Sequence, residues 1–306
     1  MRTFCLLAFL CLTLFGCVSE EVDPTKDGFK RGKPGTADNH RLIVALTFDF
    51  DAELIWVNSD NIPFSGVSRG KYGAKEGLPR VLNLLNKYQL PATFFIPGYV
   101  AERYADLVRS VAEAGYEIGH HGYLHESPAT LTPQEERQVI EQGIEALERI
   151  VGKRPRGYRA PAAAPSKATN RILLEYGFEY DSSEYGADRP YWVLDQGVRT
   201  NLVELPLALE LTDAMLFLFL SWPDVQWPGL RAPSDVEEIW RGDFDGAYEE
   251  GGDNCYVLTM HPQIIGRHHR MQMLERLILY MLSHDGVWFA QMSEISDHFR
   301  KRSAEK

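Results

Sequence analysis

From residue 41 onward, short apolar runs alternate with longer amphipathic stretches. "RLIVALTF" (41–48) is rich in β-branched and aromatic residues, which predicts a buried strand. "GLPRVLNLLNKYQ" (77–89) places Val81, Leu82, Leu84 and Leu85 on one helical face and Pro79 in the first turn. "PATFFIP" (91–97) predicts the next strand, "AERYADLVRSVAEAG" (101–115) the next helix, and "YEIG" (116–119) a short strand. In "TPQEERQVIEQGIEALERIVG" (132–152), Thr132 and Glu135 have capping-box spacing, Pro133 suits the first helical position and Gly152 terminates the helix.

The alternation continues through strands at 156–160, 178–181, 201–206, 255–260 and 287–290. Helices are predicted at 166–177, near 234–249, at 270–284 and near 293–301, and no internal repeat is visible. Repeated strand-then-helix units predict parallel strands joined by crossover helices. Seven or eight such strands suit a closed or nearly closed α/β barrel, with an open doubly wound sheet as the alternative. Both place chemistry at the C-terminal ends of the strands.

The first forty residues break this pattern. "MRTFCLLAFLCLTLFGC" carries Arg2, an apolar run too short to span a bilayer, and Gly16-Cys17. It resembles a bacterial lipoprotein signal, so residues 1–16 are expected to be cleaved and Cys17 to carry lipid. An ordinary cleaved signal would leave Cys17 unmodified. Residues 17–40 are polar and aperiodic and read as a tether, which leaves 41–302 as a single α/β domain. The expected location is the bacterial cell envelope, with membrane contact only through the lipid at Cys17. Cys5 and Cys11 leave with the signal and Cys255 stays alone, so no internal disulfide is expected. A net charge of −11 argues against nucleic acid as a partner.

Reactive residues stand where the strands end. "LIVALTF" runs into Asp49-Phe50-Asp51, and carboxylates two apart on a strand point to the same side. Two buried acids so close repel unless a cation or shared proton relieves them; the plainer reading is a polar strand exit. "YEIG" runs into "HHGYLHES", three of the chain's nine histidines within six residues. His121 and His125 are four apart, so one helical turn would present both to a metal, although Gly122 and Pro128 disfavour a helix there. Arg159 in "GYRAP" and His261 in "MHP" follow two later strands. Each alone has a structural reading; together they point to one site.

In order and spacing, "TFDFDAE", "HHGYLHES", "GYRAP" and "MHP" resemble the polysaccharide deacetylase family, the NodB-homology domain, from about residue 41 to 300. "SRGKYGA" (68–74) and "HPQIIGR" (261–267) resemble a branch with peptidoglycan deacetylase-like, allantoinase-like and cyclic-imide hydrolase members. The resemblance implies a distorted (β/α) barrel of about seven parallel strands and metal-dependent hydrolysis of amide bonds. It implies Asp51, His121 and His125 as ligands of Zn2+, or of Fe2+, Mn2+ or Co2+. It also implies Asp49 as base, Arg159 as the group that orients Asp49 and keeps it ionised, and His261 as acid, leaving His120 either to support the metal ligands from behind or to serve a structural role.

The expected substrate is an acetylated amino sugar of an envelope glycan. A small cyclic amide, ureide or imide is one alternative, and a non-catalytic glycan-binding lipoprotein another. Glu204 is a candidate to tune His261, Glu53 a neighbour of the ligand set, and His268 with His269 a solvated helix start. "AMLFLFLSW" (214–222) suits core, a cavity wall or a contact within a homo-oligomer. The branch carries aromatic residues after the third motif. Here "APAAAPS" (160–166) supplies small side chains instead, which enlarges a pocket and removes a stacking surface.

Overall fold

A computed structural model describes residues 29–57, 64–222 and 225–305. The expected signal, Cys17 and the first part of the tether lie outside these residues. The strands are β1 (Leu42–Asp49), β2 (Thr93–Ile96), β3 (Glu117–His120), β4 (Gly157–Tyr158), β5 (Tyr180–Asp181), β6 (Tyr191–Asp195), β7 (Val198–Glu204), β8 (Phe219–Trp222), β9 (Val225–Pro228), β10 (Cys255–Met260) and β11 (Val287–Phe289).

The main sheet runs β10-β1-β2-β3-β4-β5-β7-β6, and every pair is parallel except β6 with β7. Its parallel part is a curled row of seven strands, with helices around it, in agreement with the barrel expected from the sequence. β1 is buried along its whole length, as its apolar run requires. It pairs with β10 on one edge; on the other its first residues pair with β11 and its last with β2. The row does not close by a full ladder. Residues 205–213 run between β7 and β10, and a single parallel bridge joins Thr212 to Thr259.

Helix Pro133–Val151 starts with the expected capping box between Thr132 and Glu135 and ends at Gly152 in the left-handed region, φ 75°. Two expectations change. Residues 101–115 form two helices, Gly98–Arg103 and Ala105–Glu113, broken at Tyr104. The end of the expected tether is part of the domain. Gly32 donates to the Leu282 carbonyl and Gly35 to that of Val287, each at 2.9 Å. A side chain at Gly32 would meet the His284 carbonyl at 2.5 Å, so only glycine permits this docking. At the other end, helix Met292–Ala304 runs slightly past the expected boundary.

Because β1, β3, β4 and β10 run the same way, their C-terminal ends open on one edge of the sheet. Asp49 ends β1, His121 follows β3, Arg159 follows β4 and His261 follows β10.

Candidate active site

At the exit of β1 the Asp49 and Asp51 side chains are both buried, at 5% and 0% exposure. Asp51 Oδ2 accepts from Gln263 Nε2 at 3.2 Å, whereas Oδ1 has no hydrogen-bond partner. That orphaned oxygen lies 3.4 Å from His121 Nε2 and 3.8 Å from His125 Nε2. One donor atom from each residue falls within 4.8 Å of the other two. His121 Nδ1 bonds the Arg159 carbonyl at 2.8 Å. A carbonyl only accepts, so Nδ1 carries the proton and the Nε2 lone pair faces Asp51. Burial lowers the pKa of both imidazoles, that of His125 to about 4.

Burial also raises the Asp51 carboxyl, against the pull of His121 and His261. A buried carboxylate with a bare oxygen facing two imidazole lone pairs is costly alone and is matched by a cation. The residues therefore fit a divalent metal with two nitrogens and one oxygen.

The two histidines do not share a helix turn. Gly122 and His125 adopt left-handed backbone, φ 73° and 60°. Glu126 Oε2 accepts the amides of Tyr123 and Leu124 at 3.1 and 2.8 Å. With those amides taken by a side chain, the segment folds as a tight loop that turns His125 back over His121, ring centroids 5.1 Å apart. His120 points away, with its Nε2 donating to the Ile140 carbonyl at 3.0 Å. Burial holds its pKa to about 3, and it is structural. Its ring lies against Gly143 of the long helix, where a Cβ would stand 2.2 Å from Nε2.

Arg159, 1% exposed, donates from Nη1 to Asp49 Oδ1 at 2.8 Å and to Thr47 Oγ1 at 2.9 Å. Its Nη2 reaches Ser182 Oγ at 3.0 Å, and the guanidinium lies 4.2 Å from the Phe95 ring centre. Burial alone would raise the Asp49 carboxyl; the charge and hydrogen bond of Arg159, with the charge of His261, outweigh it and hold the group below its ordinary value.

Across the cavity, His261 Nε2 stands 3.8 Å from Asp49 Oδ2 and 3.8 Å from Asp51 Oδ2. Its Nδ1 donates to Asp213 Oδ1 at 2.6 Å, while its backbone N–H donates to Oδ2 at 2.9 Å. Burial disfavours the charged ring, but the Asp213 carboxylate overrides it and raises His261 to about 9.

Asp213 therefore takes the place beside His261 for which Glu204 was a candidate. Glu204 Oε1 accepts the amides of Ser183 and Glu184, each at 2.9 Å, so it holds the chain after β5 rather than His261. Asp213 opens a five-residue helix, Asp213–Phe217, which the Thr212–Thr259 bridge sets beside the end of β10. No local spacing announces it. Glu53 accepts from Arg103 Nε and the Tyr104 hydroxyl, each at 2.8 Å, which ties down the turn after Asp51. His268 and His269 are exposed at the start of helix His268–Leu282.

The chain is 33% identical to the peptidoglycan deacetylase of Helicobacter pylori over 87% of its own length and 98% of the relative's. It belongs to the polysaccharide deacetylase family. The polysaccharide deacetylase family model matches residues 37–180. A crystal structure from Mycobacterium smegmatis, classed as a polysaccharide deacetylase, superposes with a TM-score of 0.81 at 36% identity, covering 90% of this chain and 96% of that one. The PuuE allantoinase structure superposes with a TM-score of 0.74 at 25% identity, over 86% and 91%.

The enzyme's cavity has a volume of about 460 Å³ and sets the polar cluster against an apolar wall. Leu54, Leu207, Leu209, Met215 and Leu218 contribute to that wall. The 214–222 stretch is divided: Ala214, Met215 and Leu218 face the cavity, while Phe217 is buried beneath Arg270. Ala162 and Ala163 line the opposite side with left-handed backbone, φ 55° and 47°. The ring missing from the alanine segment has a counterpart in Tyr185, which reaches the cavity from beyond β5.

Proposed function

We propose that this enzyme is a metal-dependent N-deacetylase of amino-sugar residues in a cell-envelope glycan, exported and lipid-anchored at Cys17. The observation that carries the reading is the orphaned Asp51 oxygen between two imidazoles, flanked by Asp49 paired with Arg159 and by His261 paired with Asp213. Similarity to a peptidoglycan deacetylase supports the substrate class.

Asp51, His121 and His125 would hold the cation, and zinc, iron(II), manganese and cobalt all suit two imidazoles and a carboxylate. When bound, such an ion supplies an electrophile for the amide carbonyl and lowers the pKa of water.

The chain's own residues move the protons. Asp49 Oδ1 is committed to Arg159, so Oδ2 faces the cavity and takes the proton of the attacking water. As the water oxygen adds to the carbonyl carbon, the amide nitrogen gains basicity. His261, with Nδ1 fixed on Asp213, gives its Nε2 proton to that nitrogen as the C–N bond breaks. Products are acetate and the free amine of the sugar. The deciding assay offers metal-loaded protein acetylated sugar oligomers, peptidoglycan and a panel of cyclic imides. Acetate release from the glycans is expected; ring opening of imides without acetate release would overturn the reading.

Asp213 provides a pH test. His261 must be protonated to act, and its raised pKa keeps it so until the pH passes that value. Asp213→Asn removes the charge that raises it, so the alkaline limb of kcat/KM is expected to move to lower pH. An unmoved limb would mean that Asp213 does not set the acid.

A further inference from the structure

We propose that His40, Asp253 and His298 form a second divalent-metal site, at the end of β1 opposite the catalytic cluster. His40 precedes β1, Asp253 precedes β10, and His298 lies on helix Met292–Ala304. β1 and β10 are parallel neighbours with Ile43 opposite Cys255, so the residues leading into them emerge side by side.

The donor set repeats that of the active site at nearly the same spacing. His40 Nε2 and His298 Nε2 stand 3.7 and 3.9 Å from Asp253 Oδ1, against 3.4 and 3.8 Å at Asp51. The three donor atoms also lie within 4.8 Å of one another.

The surroundings prepare these atoms for a cation. His40 Nδ1 bonds the Thr36 carbonyl at 3.1 Å, which places its proton there and leaves the Nε2 lone pair toward Asp253. The His298 side chain is only 7% exposed, and its Nε2 has no hydrogen-bond partner. A buried ring nitrogen without a partner costs free energy that a ligand would recover. Trp288 lies against both rings, with centroids 5.5 Å from His40 and 5.4 Å from His298. Arg302 donates to Asp253 Oδ1, the same oxygen that faces the two rings, so an ion would share or displace that contact. The positive charge of Arg302 opposes an incoming cation and makes this the weaker of the two sites.

A cavity of about 480 Å³, lined by Asp38, His40, His298 and Glu305 among others, gives the site an entrance. Borderline ions such as zinc suit two imidazoles and a carboxylate. A bound ion would clip together the docked lead-in, the turn before β10 and the last helix.

The test is zinc stoichiometry on full-length protein, stripped of metal, reloaded and passed through a desalting column. Wild type is expected to hold two equivalents, His125→Ala one, and the double variant His125→Ala/His298→Ala none. Zinc should also raise the Tm of His125→Ala but not that of the double variant. Should His298→Ala fail to fold, His40→Gln replaces it in the double variant. A His125→Ala protein without zinc would overturn this site while leaving the catalytic reading intact, and zinc retained by the double variant would overturn it equally.

Discussion

His125→Ala is expected to lose the ion held with Asp51 and His121, and to lose turnover by roughly 10³-fold or more, on the scale of the several kcal/mol that a Lewis acid contributes. Two neighbours remain, but a carboxylate and one imidazole rarely hold a transition ion firmly enough to survive dialysis. The variant needs a control, because His125 sits at φ 60°, where alanine is strained and asparagine is tolerated. His125→Asn keeps the backbone content and removes the imidazole. If His125→Asn folds with wild-type Tm yet is equally inactive, the loss belongs to the ligand. An active His125→Asn protein would remove His125 from the site.

Asp49→Asn separates chemistry from metal binding. The amide oxygen still accepts from Arg159 Nη1, and the three proposed ligands are untouched. What goes is the ability to receive a proton, and kcat is expected to fall roughly 10²-fold or more with the metal content unchanged. A stability cost accompanies it, since Arg159 loses its buried counter-charge, a loss worth about 3–5 kcal/mol when a pair is broken outright. Thr47 and Ser182 still bind the guanidinium, so the cost should fall below that range and the fold persist. Kinetics measured well below the lowered Tm, beside metal analysis, check both parts. Near-normal turnover would show that another group takes the proton.

The sequence made the strand ends legible because β1 and β10 are continuous apolar runs, each followed at once by an acid or a histidine. The barrel could be read from the same alternation. What stayed hidden depends on contacts distant in sequence or on side chains replacing backbone partners. Asp213 meets His261 across 48 residues through a one-residue bridge, and nothing in "LTDAML" signals that meeting. Glu204, at a true strand end, was a candidate on position alone and has the structural role that its residue type equally allowed. The loop at 121–126 was hidden for another reason: Glu126 captures two amides and Gly122 turns the chain, which overrides the helical spacing of the histidines. Strand β6 and the first residues of β7 escaped because Leu194 and Val198 face solvent and weaken the alternation.

The contact between His120 and Gly143 bears on redesign of this scaffold. By intrinsic propensity an alanine at 143 would strengthen the long helix by roughly 0.5–1 kcal/mol, so any programme that idealises helices would install one. Its methyl group would occupy the space of the His120 ring, and the ring cannot yield without shifting His121, the neighbouring residue proposed to grip the cation. An apparently harmless improvement on an outer helix would therefore reach the reaction centre, and position 143 should be frozen in any thermostabilised derivative.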